Sequence, residues 1–277
     1  VEQEVKETTS EGRWLFKRTK TRTIKRLVER ERTVLLNGLG DQIPGPELIE
    51  VPAAQFTIGP TKDEREDADT HEQVLNVKLT RPFLLAAMPV TQQLYEAVVQ
   101  NNPSEHRGIF RPVHCLAWLD AVAFCNAMSD LYELEQSYEI QDSMLGKHVR
   151  WKGLNCNGFR LPTAAEWEYA CRADSEGGRY GDLDEISWHA DNSDGHPHPV
   201  GRKKPNSWGL FDMLGNVENW VWDYAPDPAD ARPPRRDSVL RMTAGGSPHV
   251  DAVDPIGPSR GGLRTSCGDS FIANELE

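Results

Sequence analysis

The sequence predicts an α/β chain of the α+β kind, with short strands, two to three helices and a large share of ordered loop. Three observations predict it. Three windows, around residues 91–100, 115–133 and 163–173, carry apolar residues at helical spacing. The other apolar runs are short and alternate like strands. The 22 Gly and 19 Pro among 277 residues punctuate the remainder and leave little room for long helices. A loop-rich domain needs large anchors to bury enough apolar area. Trp151, Trp167, Trp188, Trp208, Trp220 and Trp222 supply them in the second half of the chain.

Residues 1–43 stand apart as a basic N-terminal arm. Arg13, Lys17, Arg18, Lys20, Arg22, Lys25, Arg26, Arg30 and Arg32 crowd around Trp14, Leu15, Phe16, Ile24, Leu27 and Val28. The pattern fits a basic amphipathic helix and an alternating strand equally. Such an arm either packs as a solvated face on its own domain or docks an acidic partner. "NGLGDQIPGPE" then breaks the chain, and one continuous domain spans 44–277.

Within that domain "LIEVPAAQFTIG" alternates as a strand, and "LNVKLTRPFLLAAMPVT" reads as two short strands. "TQQLYEAVVQ" is a helix with Thr91 as its N-cap. "LAWLDAVAFCNAMSDLYEL" is a second, with Trp118, Ala121, Val122, Phe124, Cys125, Met128 and Leu131 at helical spacing. "SYEIQDSMLGKHVRWKGLNCNGFRLP" is hairpin material. "TAAEWEYACRA" is a third helix, whose Thr163 and Glu166 make a capping box. After Arg172 the chain reads mostly as loop.

Composition excludes several classes of function. No apolar run of about 18 residues exists, so no membrane span is expected. The net charge of −12 argues against a nucleic-acid partner for the whole surface. The opening "VEQEVKETTSEGRW" is polar and acidic and shows no signal peptide. Cys115, Cys125, Cys156, Cys171 and Cys267 form no CxxC pair and read as reduced thiols of a cytoplasmic protein. Cys125 and Cys171 fall inside helical apolar patterns and are expected in the core. "HADNSDGHPHP" sets His196 and His198 beside Asp191 and Asp194. Pro197 and Pro199 prevent a helical His pair there, so a polar surface loop is expected rather than a metal site.

Two stretches carry a family resemblance: "GFRLPTAAEWEYACRA" (158–173) and "PNSWGLFDMLGNVENWVWDY" (205–224). They resemble the formylglycine-generating-enzyme, or sulfatase-modifying-factor, superfamily. "FTIG", "MPVTQQLYEAVVQNNPS", "RPVHCLAWLDAVAFCN" and "AGGS" match further motifs of that family in the same order. The resemblance covers roughly residues 45–277. It implies a C-type-lectin-like fold with a small twisted antiparallel core. The family closes its barrel with Gly-Phe-Arg, and no such triplet stands near the end of this chain, which leaves the last strand unaccounted for.

The resemblance also implies where chemistry would sit. Family enzymes that oxidise a substrate cysteine bind Cu(I) through two cysteines five positions apart, just after Gly-Gly-Ser. Val250 and Pro255 hold those positions here, and Cys267 alone cannot replace a pair. No copper is expected. The iron-dependent branch uses His-x3-His-x-Glu, and no such motif occurs among the histidines of this chain. Family members also bind Ca²⁺ in the turn that reads "DMLGNVEN" here. Its ligands would be Asp212, Gly215, Val217 and Asn219, with Asn219 replacing a more usual Glu.

Residues 243–274 contain no Lys, Glu, Gln, Met or Trp. One branch of the superfamily consists of the non-catalytic target proteins of diversity-generating retroelements. Their C-terminal segment is rewritten by mutation of template adenines. An AAC or AAT codon whose adenines are replaced reaches every amino acid except those same five. The expected function is therefore a non-enzymatic ligand-binding protein with a diversified segment, 248–274. His249, Val250, Asp251, Val253, Asp254, Ile256, Ser259, Cys267, Asp269, Ser270, Phe271 and Asn274 would face a macromolecular ligand, a protein by preference. The alternatives are an oxidoreductase of the formylglycine-generating type and a regulatory pseudoenzyme scaffold.

Overall fold

Two short strands, β1 (Leu35–Leu36) and β2 (Gln42–Ile43), pair antiparallel and place Ile43 in the interior. The computed structural model describes residues 35–36, 42–43, 45–59, 75–143, 146–175, 177–224, 241–244 and 272–273.

The stretch read as a single strand over 48–59 is two. β3 (Leu48–Val51) pairs with β6 (Phe83–Ala86), whereas β4 (Ala54–Ile58) pairs with β5 (Leu75–Leu79). Pro52 stands between them. Proline has no N–H to continue a ladder, so the chain changes sheets there.

The helices form where their caps are written. In α1 (Gln92–Val99), Thr91 Oγ1 accepts from Leu94 N at 3.2 Å, and Gln100 ends the helix in the left-handed region. α2 (Trp118–Leu131) begins with Asp120 Oδ2 accepting from Ala117 N at 3.1 Å. It buries Ala121, Val122, Phe124, Cys125 and Met128, as the periodicity requires. The hairpin β7 (Tyr138–Ser143) and β8 (Gly146–Trp151) follows, then β9 (Phe159–Arg160). α3 (Ala164–Arg172) carries the predicted capping box, with Glu166 Oε2 accepting from Thr163 N at 2.8 Å. α4 is one turn (Leu183–Ile186). A long ordered loop leads to β10 (Asn219–Tyr224) and β11 (Arg241–Ala244), which pair antiparallel.

The strand that the sequence left unaccounted for is β12 (Ile272–Ala273). It lies between β6 and β9 in a four-stranded antiparallel sheet of order β3-β6-β12-β9. Ile272 is paired with Leu85 on one side and with Arg160 on the other.

Two apolar clusters flank this sheet. One joins α1 and α2 to Tyr138, Phe159 and Leu161. The other joins Val51, Phe83 and Leu85 to Trp167, Ala170 and Cys171 of α3 and to Leu210, Met213, Leu214 and Val221. Trp167 is fully buried, while Trp151, Trp188, Trp208, Trp220 and Trp222 are half-buried. This is an α+β architecture of small sheets, few helices and much ordered loop.

Candidate functional site

The segment that avoids five residue types enters and leaves through paired backbone. Asn219 pairs with Ala244 and Trp220 with Thr243, so β11 ends immediately before Gly245-Gly246-Ser247 in the sequence. It returns at β12. The candidate ligand-binding residues from His249 to Asn274 all lie outside the described residues, as do Val250 and Pro255.

Strand β10, the partner of β11 beside the entry point, is bolted to the scaffold by aromatic side chains. Trp220 Nε1 donates to Leu116 O at 3.2 Å, and Trp118 Nε1 donates to Val221 O at 3.1 Å. The Trp222 ring lies 5.5 Å from Trp118, 5.6 Å from Trp151 and 5.1 Å from Tyr138. Asp223 Oδ2 accepts from Ala164 N at 2.5 Å, so a carboxylate meets the N-terminus of α3. Half-buried tryptophans that also spend their N–H on backbone fix both position and rotation.

The turn 212–219 brings Asp212, Gly215, Val217 and Asn219 together. Asp212, Gly215 and Asn216 have positive φ, and a Cβ at Gly215 would collide with Ser187 Oγ and Trp188 O. Asp212 is buried. Its Oδ2 accepts from Gly201 N at 2.7 Å and its Oδ1 from Asn216 Nδ2 at 3.3 Å. Burial pushes this carboxyl up to about 6 despite those bonds. Asn219 Nδ2 faces Val217 O at 3.4 Å. Calcium needs six to eight oxygens turned inward. As arranged, the turn sets N–H groups against Asp212 and Val217, and a cation would require the Asn216 and Asn219 amides to turn over. The sequence reading missed Asn216, the pivot of this turn. Its Oδ1 accepts from His198 N at 2.8 Å and its Nδ2 donates to His198 O at 3.1 Å.

The 189–199 stretch is not the surface loop that its polarity implied. His189, Ser193 and Pro197 are buried, and only Asp191 and Asp194 are exposed. Its histidines continue a row of neighbouring rings, stacked for Trp188–His198 and His106–His114 and tilted for the two pairs that include His196. His198 lies 3.9 Å from Trp188 and 4.9 Å from His196, and His106 lies 5.3 Å from His196 and 6.0 Å from His114. The ring nitrogens are engaged locally. His114 Nε2 accepts from His106 N at 3.2 Å, and Arg111 Nη1 donates to His196 Nδ1 at 3.3 Å. Desolvation holds the imidazoles of His114 and His198 below the ordinary histidine value. They act as neutral aromatic packing. Among the described residues no group of three or more His, Cys, Asp or Glu is placed to hold a metal ion.

The described cysteines are free thiols. Cys125, Cys156 and Cys171 are buried, and burial pushes the Cys115 and Cys171 thiols up. A raised thiol is a poor nucleophile and a poor copper ligand. Cys125, Cys156 and Cys171 are also shielded from solvent by their burial.

Short antiparallel sheets, capped helices and long ordered loops define a C-type-lectin-like domain of the formylglycine-generating type. The chain belongs to the Sulfatase-modifying factor enzyme 1-like domain family, whose match spans residues 38–275. It is similar to the chaperone protein LppX of Paenibacillus barcinonensis, 29% identical over 62% of this chain and 70% of that one. It is also similar to the formylglycine-generating enzyme of Streptomyces coelicolor, 26% identical over 82% of this chain and 79% of that one. Among solved structures, Treponema denticola variable protein 1 superposes with a TM-score of 0.69 at 26% identity. That match covers 82% of this chain and 94% of that one. The resemblance to a variable protein therefore holds at the level of the fold as well as of sequence.

Proposed function

We propose that this protein is a non-enzymatic binding protein that presents a diversified surface, built from residues 248–274, on a rigid lectin-like scaffold. The observation that carries the reading is the absence of Lys, Glu, Gln, Met and Trp from 243–274, the signature of adenine replacement in AAY codons. Two structural features support it. The segment is tied to paired strands at both ends, as a replaceable surface must be. Strand β10 beside its entry is fixed by Trp118, Trp220 and Trp222, so replacement in the segment need not disturb the core. Similarity to Treponema denticola variable protein 1 points the same way. The ligand is a macromolecule, a protein by preference, and an interface of about 800 Å² per side is ordinary for that. The basic arm would dock an acidic partner where it does not pack on its own domain, and five cysteines without a CxxC pair support a cytoplasmic location.

A second reading, a cysteine-oxidising enzyme, is favoured by the similarity to the Streptomyces coelicolor enzyme. Against it stand Val250 and Pro255 at the positions where the family's thiols are found. The deciding experiment is a library that replaces His249, Val250, Asp251, Val253, Asp254, Ile256, Asp269, Ser270 and Phe271 with other AAY-reachable residues. Most members should express as folded protein with melting temperatures near the parent, because exposed substitutions cost within about 0.5 kcal/mol each. Trp167→Ala is the control and should cost about 3–5 kcal/mol. A library that mostly unfolds would make the segment a packed structural element and end the binding-surface reading.

A further inference from the structure

The β-turn Gly108–Arg111 carries its apolar residues on the outside. Arg111 N donates to Gly108 O at 2.9 Å, so Ile109 and Phe110 occupy the two corner positions. Turn corners ordinarily take Pro, Asn, Asp, Gly or Ser. Here a β-branched and an aromatic residue sit there, 56% and 58% exposed. The other exposed large hydrophobics among the described residues, Leu75 and Leu131, lie apart on β5 and α2.

The turn is held from both sides. Gln92 N donates to Arg111 O at 2.8 Å, and Gln93 N donates to Ile109 O at 3.3 Å. The buried Gln92 side chain accepts from Gly108 N at 3.1 Å and donates to His106 O at 2.8 Å. From the opposite side Val200 N donates to Phe110 O at 2.9 Å. A tip fixed in this way loses little freedom when it meets a partner.

Arginines lie close to it along the chain, with the exposed Glu105 the nearest carboxylate before it. Arg107 and Arg111 flank the tip in sequence, and Arg202 follows two residues after Val200. Arg107 and Arg202 are exposed and form no ion pair among the described residues. Arg111 is engaged by His196 Nδ1 and Pro197 O, neither of them an anion. In a chain of net charge −12 this is a local cationic rim around an apolar point.

We propose that this turn is a membrane-contact element. It inserts Ile109 and Phe110 into the interface of an anionic lipid surface, with Arg107 and Arg202 on the headgroups. Two observations favour lipid over a protein partner. The apolar area is confined to two adjacent side chains at a turn tip, whereas a stable protein interface needs about 800 Å² of matched surface on each side. The requirements of an interfacial contact, an apolar tip and a cationic rim, are both present.

The test is co-sedimentation of the full chain with two vesicle preparations, phosphatidylcholine alone and phosphatidylcholine with phosphatidylserine. The wild-type chain should pellet with the anionic vesicles and remain in solution with the neutral ones. The Ile109→Ser/Phe110→Ser variant should bind the anionic vesicles about tenfold more weakly. Arg107→Gln/Arg202→Gln should weaken binding to the anionic vesicles relative to the parent. Both variants are surface changes, and melting curves that match the parent will show that they fold. The basic N-terminal arm is present in every sample, so its contribution is constant. Undiminished pelleting of the serine variant would overturn the proposal. So would a wild-type chain that ignores both vesicles, an outcome that leaves the tip to a protein partner.

Discussion

Arg160 and Glu166 form a buried bidentate ion pair, Nη1 to Oε2 and Nη2 to Oε1, each at 2.7 Å. Arg160 is on β9, beside β12, and Glu166 closes the capping box of α3, so the pair couples sheet to helix. Burial alone would raise the Glu166 carboxyl. The Arg160 charge and hydrogen bonds, with the Thr163 N–H and hydroxyl, outweigh it and hold the group below its ordinary 4.5.

Removing one partner strands the other charge in the interior. Glu166→Gln should cost about 3–5 kcal/mol, while Arg160→Met/Glu166→Leu should cost less than the sum of the single changes. The pH dependence follows from the sign of the shift. A depressed carboxyl stabilises the fold fully above its unfolded value, and that contribution is lost as pH falls through the folded value. Urea melts from neutral pH down to about pH 3 should show this acid-side loss in the parent and a shallower one in the double variant. Equal slopes would remove the pair from the acid response.

Gln92 is the pin of the 101–112 loop. Its side-chain amide donates to His106 O and Pro112 O, and its carbonyl accepts from Asn102 Nδ2 and Gly108 N. Gln92→Leu keeps the volume and leaves those buried groups unpaired. A loss of about 2–4 kcal/mol is expected. Trypsin cleavage at Arg107 and Arg111 should become fast before the rest of the domain unfolds. A variant as protease-resistant as the parent would show that the loop is held by other bonds.

In the 212–219 turn, donors already face Asp212 and Val217. The melting temperature should therefore be the same in excess chelator as in calcium. A ligand bound only to the folded state would raise it by mass action. A calcium-dependent rise that Asp212→Ala abolishes would place the ion in the turn.

Incubation with Cu(I), oxygen and a Cys-x-Pro-x-Arg peptide should leave the peptide thiol intact. The ground is Val250 and Pro255, with the described cysteines buried or raised. Aldehyde above the uncatalysed background, read by mass spectrometry, would restore the enzymatic reading.

The parts of the fold governed by short-range rules were legible in the sequence. Thr91 and Thr163 cap the helices they were expected to cap, and Cys125 and Cys171 are core residues because helical periodicity puts them there. Long-range partners were not legible. Nothing local tells that β3 and β4 join different sheets, although Pro52 marked the place. The histidines of 189–199 looked solvated because they are polar. His189 is buried, and His196 and His198 are half-buried because the nearby Trp188 and the sequence-distant Arg111 and Asn216 close over them. Of the candidate site, the family motif located the 212–219 turn. Its hydrogen-bond senses depend on Gly201 and His198, which no motif includes.

The position of β12 has a consequence for heredity. Ile272 and Ala273 fall near the end of the segment proposed to diversify, yet they supply the strand between β6 and β9. Replacement of adenines in a codon ending in C or T never creates a stop signal, so point changes leave this strand translated. A slipped reading frame would not. The ribosome would then emit a chain whose sheet lacks an inner member, with β6 and β9 exposing unpaired edges. Such chains are substrates for proteases rather than for display. Folding thereby proofreads the rewritten gene, and only in-frame variants reach the stage at which binding is selected.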